Sequence, residues 1–136
     1  MSKKYKYICA LDYDGTLFEG SYPKLGKPKK DVIKQANAFK KCGANLVLWT
    51  CREGKGLQEA ISRCSKEGLV FEEINENTKE QKEYMSKVLM EKGDIFALRK
   101  IYADIYVDDK SPGSIDAFLA LDPKDECKEI ELEEND

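Results

Sequence analysis

An apolar run that ends in two carboxylates constrains this chain more than any other feature. Residues 5–11 have the composition of a buried strand, and the motif DYDGTL follows at Asp12–Leu17. Negative charge gathered where a buried strand ends is costly unless a cation neutralises it or the carboxylates take part in chemistry. The pattern therefore predicts a buried strand whose end carries a charged functional site.

Strand and helix patterns alternate along the rest of the chain. Further apolar strands are predicted at residues 45–50, 69–74 and 101–107. Apolar residues with helical spacing predict helices at 31–42, from Leu57 to Gly68, from Thr78 to Gly93, and at 114–121. Thr78 with Gln81 is a capping-box pattern for the third of these helices. This order predicts a mainly parallel sheet in a three-layer α/β/α sandwich.

Length and composition bound the class of protein. The 136 residues suffice for one domain, predicted at 1–122, followed by an acidic tail at 123–136. The net charge of −3 gives no electrostatic reason to expect nucleic-acid binding. Histidine is absent, which excludes Ser-His-Asp triads and His-ligated zinc. Five scattered cysteines and no apolar membrane-spanning or signal segment favour a cytoplasmic protein that does not bind membranes.

Polar side chains follow each predicted strand at the point where it ends. In parallel α/β sheets, ligands bind beyond the carboxyl ends of the strands, so these residues should converge on one edge. They are Asp12, Asp14, Thr50, Asn75, Asp108 and Asp109. An edge this rich in carboxylates suits Mg²⁺, with Asp12, Asp14, Asp108 and Asp109 as the candidate metal ligands.

The same residues can carry phosphoryl transfer. An ionised Asp12 is a competent nucleophile toward phosphorus and would form an aspartyl-phosphate intermediate. Asp14 could protonate the leaving oxygen and then deprotonate the attacking water. The Thr50 hydroxyl can donate to a phosphoryl oxygen, and a lysine at the same edge would stabilise the transition state.

These motifs, in this order, resemble those of the haloacid dehalogenase (HAD) superfamily over most of the chain. The resemblance implies a Rossmannoid fold and Mg²⁺-dependent phosphoryl transfer. It implies that Asp12 is the nucleophile, Asp14 the acid and base, Thr50 and a lysine the phosphate binders, and Asp108 a metal ligand. Segments 22–28, 48–52 and 102–109 also resemble a small, cap-poor branch of bacterial and phage hydrolases, which names no substrate.

The lysine of this motif set is ambiguous in the sequence. Lys100 precedes Asp108 by eight residues and is preferred, although it lies before the last strand rather than after it. Lys79, just after the third predicted strand, competes with it, and Lys110 is a more distant alternative.

Substrate contacts are predicted near the same edge. The candidate substrate-binding residues are Gly15, Thr16, Arg52 and Asn75. Arg52 is interpreted either as a bidentate phosphate clamp or as a solvated residue, and Asn75 either as a turn residue or as a contact. Trp49 lies within an apolar strand and is predicted to be part of the core.

The spacing of the motifs leaves no room for an independent cap domain of about 50 residues. We therefore expect an open site, or one covered by a second subunit in a homo-oligomer. The expected activity is phosphomonoester hydrolysis of a small phosphorylated metabolite, either a sugar phosphate or a nucleotide. The alternatives are a catalytically silent module that binds phosphate and Mg²⁺, and a phosphotransferase completed by a partner subunit.

Overall fold

A parallel sheet forms the centre of the protein in the computed structural model, which describes residues 3–91, 100–128 and 130–132. In chain order the elements are β1 (Lys3–Tyr5), β2 (Ile8–Leu11), α1 (Lys30–Lys41), β3 (Asn45–Leu48), α2 (Gly54–Lys66), β4 (Glu73–Ile74), α3 (Lys79–Glu91), β5 (Ile105–Val107), α4 (Ser114–Ala120), α5 (Pro123–Glu126) and β6 (Ile130–Leu132). The sheet order is β4-β3-β2-β5 with every neighbouring pair parallel, which confirms the predicted α/β fold.

Side chains of alternate residues along the strands build a different core on each face of the sheet, since strand side chains alternate with a period of two. On one face Cys9, Leu11, Leu46 and Leu48 join buried residues of α1, α2 and α4. On the other face a smaller cluster contains Ile8, Ala10, Val47, Ile101 and Ala103. We call this second side of the sheet the small-cluster face.

Several boundaries differ from the sequence prediction. The first predicted strand divides into β1 and β2, because β1 leaves the main sheet to pair with β6. Of the predicted strand 69–74, only Glu73–Ile74 pairs as β4, although Leu69 is buried. The Thr78 hydroxyl accepts from the backbone N–H of Gln81, as the capping pattern predicts.

Part of the C-terminal segment forms secondary structure, namely α5 and β6. The Asp122 carboxylate accepts from the N–H of Lys124 and so caps α5, which is followed by the β6 pairing with β1. Within the residues that the structure describes, no helix is long and apolar enough to cross a membrane.

Candidate active site

Three carboxylates meet at the carboxyl ends of β2 and β5. Asp12 lies one residue beyond the last paired residue of β2, and its N–H donates to the carbonyl of Val107. One oxygen from each of Asp12, Asp108 and Asp109 falls within 4.8 Å of the others. We call this group the carboxylate cluster, and it brings together three of the four predicted metal ligands.

Burial and like charge act together on Asp12. Desolvation of the partly buried side chain, followed by the negative charge of Asp108, raises the pKa of Asp12 from 3.8 to about 7. The backbone N–H of Tyr13 and the hydroxyl of Thr16 act in the opposite direction, and the Asp109 charge adds to the rise. The carboxylate cluster thus holds more negative charge than its protein surroundings neutralise.

The hydroxyl of Thr16 links two members of the carboxylate cluster. Its hydroxyl lies 3.3 Å from Asp12 Oδ2 as a donor and accepts from the N–H of Asp109 at 2.9 Å. Thr16 is fully buried and positions these two residues through both bonds, and its substrate contact stays a prediction.

The Asp109 side chain approaches the backbone of residue 15 so closely that only glycine fits there. A Cβ at this position would lie 2.2 Å from Asp109 Oδ2, and the φ of +79° is one that residues with a side chain rarely adopt. The N–H of Gly15 donates to Phe18 and its carbonyl accepts from the Lys29 ammonium. Its backbone groups thus stabilise the turn, and its substrate contact stays a prediction.

Asp14 belongs to a second, separate arrangement. Arg52 Nε and Nη2 donate to the two oxygens of Asp14 at 2.8 and 2.7 Å. The Asp14 side chain is thereby engaged outside the carboxylate cluster, unlike its prediction as one of four metal ligands. We call this arrangement the Asp14–Arg52 pair.

Arg52 is buried rather than solvated, and within the described residues its buried Nη1 has no hydrogen-bond partner, so the predicted phosphate contact stays a prediction. Its side chain is 2% exposed, and its guanidinium lies between the rings of Tyr13 and Tyr22, about 5 Å from each centroid. Nη2 also donates to the Lys24 carbonyl at 2.6 Å. Arg52 therefore joins Asp14 to the loop of residues 19–28, and its pKa is raised by the hydrogen bond to Asp14.

Thr50 and Asn75 meet at the end of β3. The Asn75 side-chain oxygen accepts from the N–H of Thr50 at 2.8 Å, and Asn75 has a positive φ of 55°. The Thr50 hydroxyl accepts from the N–H of Arg52 at 3.2 Å, which leaves its proton free to point toward a ligand. Asn75 thus acts as a turn residue that positions Thr50.

The three candidate lysines differ in position. Lys100 Nζ lies 5.8 Å from the ring centroid of Tyr106, which shares a sheet face with Asp108 two residues later. Lys79 is exposed at the first position of α3. Lys110 Nζ lies 4.0 Å from Asp109 Oδ2, but its side chain is 88% exposed. Lys100 precedes β5 and is exposed, and its ammonium lies near the ring of Tyr106 on that strand.

Sequence reasoning missed three residues. Ser114 donates to the carbonyl of Tyr106 at 2.7 Å and accepts from the N–H of Asp108, and so orients the end of β5. Lys29, which belongs to none of the motifs, donates from its ammonium to the Gly15 carbonyl at 3.3 Å. Trp49, predicted as core, is 41% exposed and belongs to neither core cluster.

Comparison with known proteins shows that the chain is similar to a solved structure. No protein-family model and no curated protein matches the chain. A solved structure described as a conserved protein coded by a locus from Bacteroides thetaiotaomicron is 31% identical, with 82% of each chain covered and a TM-score of 0.64. The chain belongs to one family with this Bacteroides protein.

Proposed function

We propose that this chain is a Mg²⁺-dependent phosphomonoesterase of the HAD type that acts on small phosphorylated metabolites. The observation that carries the proposal is the carboxylate cluster, with oxygens of Asp12, Asp108 and Asp109 within 4.8 Å of one another at a strand end. Three acidic groups this close repel one another unless a cation joins them or protons bind. Carboxylate oxygens are the donors that Mg²⁺ prefers.

Asp12, Asp108 and Asp109 would hold the metal. Bound Mg²⁺ would offset the charge of the cluster and polarise the phosphoryl group of a substrate. The ionised form of Asp12 is needed for attack on phosphorus. Because burial and Asp108 raise the pKa of Asp12 to about 7, the protein alone does not secure that form at neutral pH.

In the proposed reaction, an Asp12 carboxylate oxygen bonds to phosphorus as the bond from phosphorus to the leaving oxygen breaks. Asp14 supplies a proton to that oxygen, giving a free alcohol and a phosphorylated Asp12. Water then attacks the phosphorus, Asp14 takes its proton, and the Asp12 carboxylate and inorganic phosphate are released. The Thr50 hydroxyl and the Lys100 ammonium would contact the phosphoryl oxygens.

The Asp14–Arg52 pair bears on the acid and base step. Both oxygens of Asp14 accept from Arg52, so only the lone pairs that these two bonds leave unused can take part in proton transfer. We propose that substrate binding near residues 19–28 loosens the pair, since Arg52 also contacts Tyr22 and Lys24 of that loop.

The same pair favours one alternative. If Asp14 stays bound to Arg52, the chain would bind Mg²⁺ and phosphate without turnover, as a silent binding module. The two functions differ in phosphate release and share metal binding, so one set of assays separates them.

The test is phosphate release from p-nitrophenyl phosphate and from a panel of sugar phosphates and nucleotides. It compares the wild type with Asp12→Asn, each with Mg²⁺ and with EDTA. We expect release that needs both Mg²⁺ and Asp12. Release that persists in Asp12→Asn would overturn the covalent mechanism, whereas Mg²⁺ binding with no release from any compound would favour the binding module.

A further inference from the structure

Trp49 follows β3 at the sheet edge where the carboxylate cluster follows β2 and β5. Leu11 and Leu48 are the last paired residues of β2 and β3, and the N–H of Trp49 donates to the carbonyl of Leu11 at 2.8 Å. Trp49 is therefore the neighbour of Asp12 across the two strands. Because side chains alternate along a strand, Trp49 shares the face of Val47, and Asp12 shares the face of Ala10.

The strand order places the two neighbours of Asp12 on opposite sides. β2 lies between β3 and β5, so Asp108 follows the strand on one side of Asp12 and Trp49 follows the strand on the other. The carboxylates of Asp108 and Asp109 lie on the β5 side. The β3 side of Asp12 thus presents an aromatic ring rather than a charge.

The exposure of Trp49 is not explained by packing. Its strand neighbours Leu46, Val47 and Leu48 are fully buried, whereas Trp49 is 41% exposed. An indole is among the largest apolar groups that a protein can bury, and leaving it partly in water at a strand end forgoes that stabilisation. The exposed part of the ring is then available to a ligand at the same edge of the sheet.

We infer that Trp49 is a specificity-determining residue that stacks on the organic part of the substrate, and that the preferred substrates are phosphate monoesters carrying an aromatic ring, such as the base of a nucleotide. This inference rests on the proposed phosphatase function and narrows its substrate class. Stacking of a base on an aromatic side chain is tolerant of ring identity. The site would therefore select for a ring rather than for one particular base.

A binding experiment tests the stacking without turnover. Trp49 is the only tryptophan of the chain, so intrinsic fluorescence reports on this position alone. Asp12→Asn with Mg²⁺ is titrated with a nucleoside 5′-monophosphate, ribose 5-phosphate, glycerol phosphate and inorganic phosphate. Excitation is at the red edge of indole absorption, where bases absorb little. We expect quenching by the nucleotide and little change with the three ligands that lack an aromatic ring. Equal responses to all four ligands would overturn the inference.

A kinetic experiment tests selectivity. The ratio of kcat/KM for a nucleoside monophosphate to that for glycerol phosphate is compared among the wild type, Trp49→Ala and Trp49→Phe. We expect the ratio to fall about tenfold in Trp49→Ala and to be largely kept in Trp49→Phe, because a phenyl ring still stacks. Tyr84→Ala, which removes an aromatic ring that is 55% exposed on α3, is the matched control and should leave the ratio unchanged.

The outcomes separate the two proposals. Turnover of both esters with the same ratio in Trp49→Ala and the wild type would overturn the role of Trp49 and leave the phosphatase intact. Nucleotide-specific quenching without release from any ester would support the aromatic subsite and overturn the phosphatase.

Discussion

Asp12 and Asp14 are two residues apart, yet their surroundings are opposite. Asp12 faces Asp108 and Asp109, and its pKa is raised to about 7 by burial and by those like charges. Asp14 receives two hydrogen bonds from a guanidinium that is itself almost completely buried. Within the described residues, Asp12 lies among like charges, whereas Asp14 is paired with a guanidinium. We therefore expect the two residues to have different roles.

The comparison is tested most severely by removing the charge of Asp12. Asp12→Asn should lower phosphate release by about 10³-fold or more, because the nucleophile is lost. Activity is followed by released phosphate and folding by circular dichroism. Residual turnover within tenfold of the wild type would show that Asp12 is not the nucleophile.

Arg52→Ala tests the other side of the comparison through stability. Removing one partner of a buried ion pair leaves Asp14 without its counter-charge and frees the loop carbonyl of Lys24, so we expect a loss of about 2–4 kcal/mol. Urea unfolding provides the measurement. Arg63→Ala is the matched control, since Arg63 also donates to a carbonyl of this loop but in an exposed bond. Equal losses in the two variants would mean that the Asp14–Arg52 pair adds nothing to stability.

The lysines are compared side by side. Lys100→Ala should reduce kcat by about 10²-fold, because a positive charge that stabilises the transition state is removed. On this assignment Lys79→Ala and Lys110→Ala should have small effects, because neither ammonium contacts the phosphoryl group. Similar mild losses in all three variants would reject Lys100 as the phosphate-binding lysine.

Asp108→Asn should weaken Mg²⁺ binding by about tenfold or more while leaving the fold intact, because it removes one charged oxygen ligand from the cluster. The Mg²⁺ concentration that gives half-maximal phosphate release is the readout. Asp116→Asn, on the exposed side of α4, serves as the control. An unchanged Mg²⁺ requirement in Asp108→Asn would place the metal elsewhere.

The smallest expected effect is on the pH dependence of stability without metal. Because the pKa of Asp12 rises from 3.8 to about 7 on folding, the folded protein binds this proton more tightly than the unfolded chain. Stability should therefore fall as pH rises from about 4 to about 7, by on the order of 1–2 kcal/mol after allowance for solvent screening. Thermal unfolding in EDTA measures it, and Asp12→Asn should flatten the profile. A slope that is unchanged in Asp12→Asn would assign the effect to other groups.

How far the sequence predicts the site depends on the kind of contact. The approach of Asp12 to Asp108 follows from parallel strands whose ends share an edge, so strand patterns were sufficient to predict it. The partner of Asp14 depends on how the chain turns after β3 and on the path of residues 19–28. No local periodicity describes that path, and Arg52 was therefore left between two interpretations.

Trp49 shows a second limit of prediction from the sequence. Period-two alternation assigns it to a sheet face, but an apolar strand pattern does not reveal where the covering layer stops. The core on that face ends at Val47, and Trp49 extends past it. In the same way, the β1–β6 pairing joins residues from opposite ends of the chain, which a local pattern does not encode.

Calorimetric titration with Mg²⁺ of the wild type, Asp12→Asn and Asp14→Asn tests the central claim most directly. The account predicts that Asp12→Asn weakens Mg²⁺ binding by about tenfold or more, because one charged ligand is lost, whereas Asp14→Asn keeps it within a few-fold, because the Asp14 side chain lies outside the carboxylate cluster. Loss of Mg²⁺ binding in Asp14→Asn together with full binding in Asp12→Asn would contradict it.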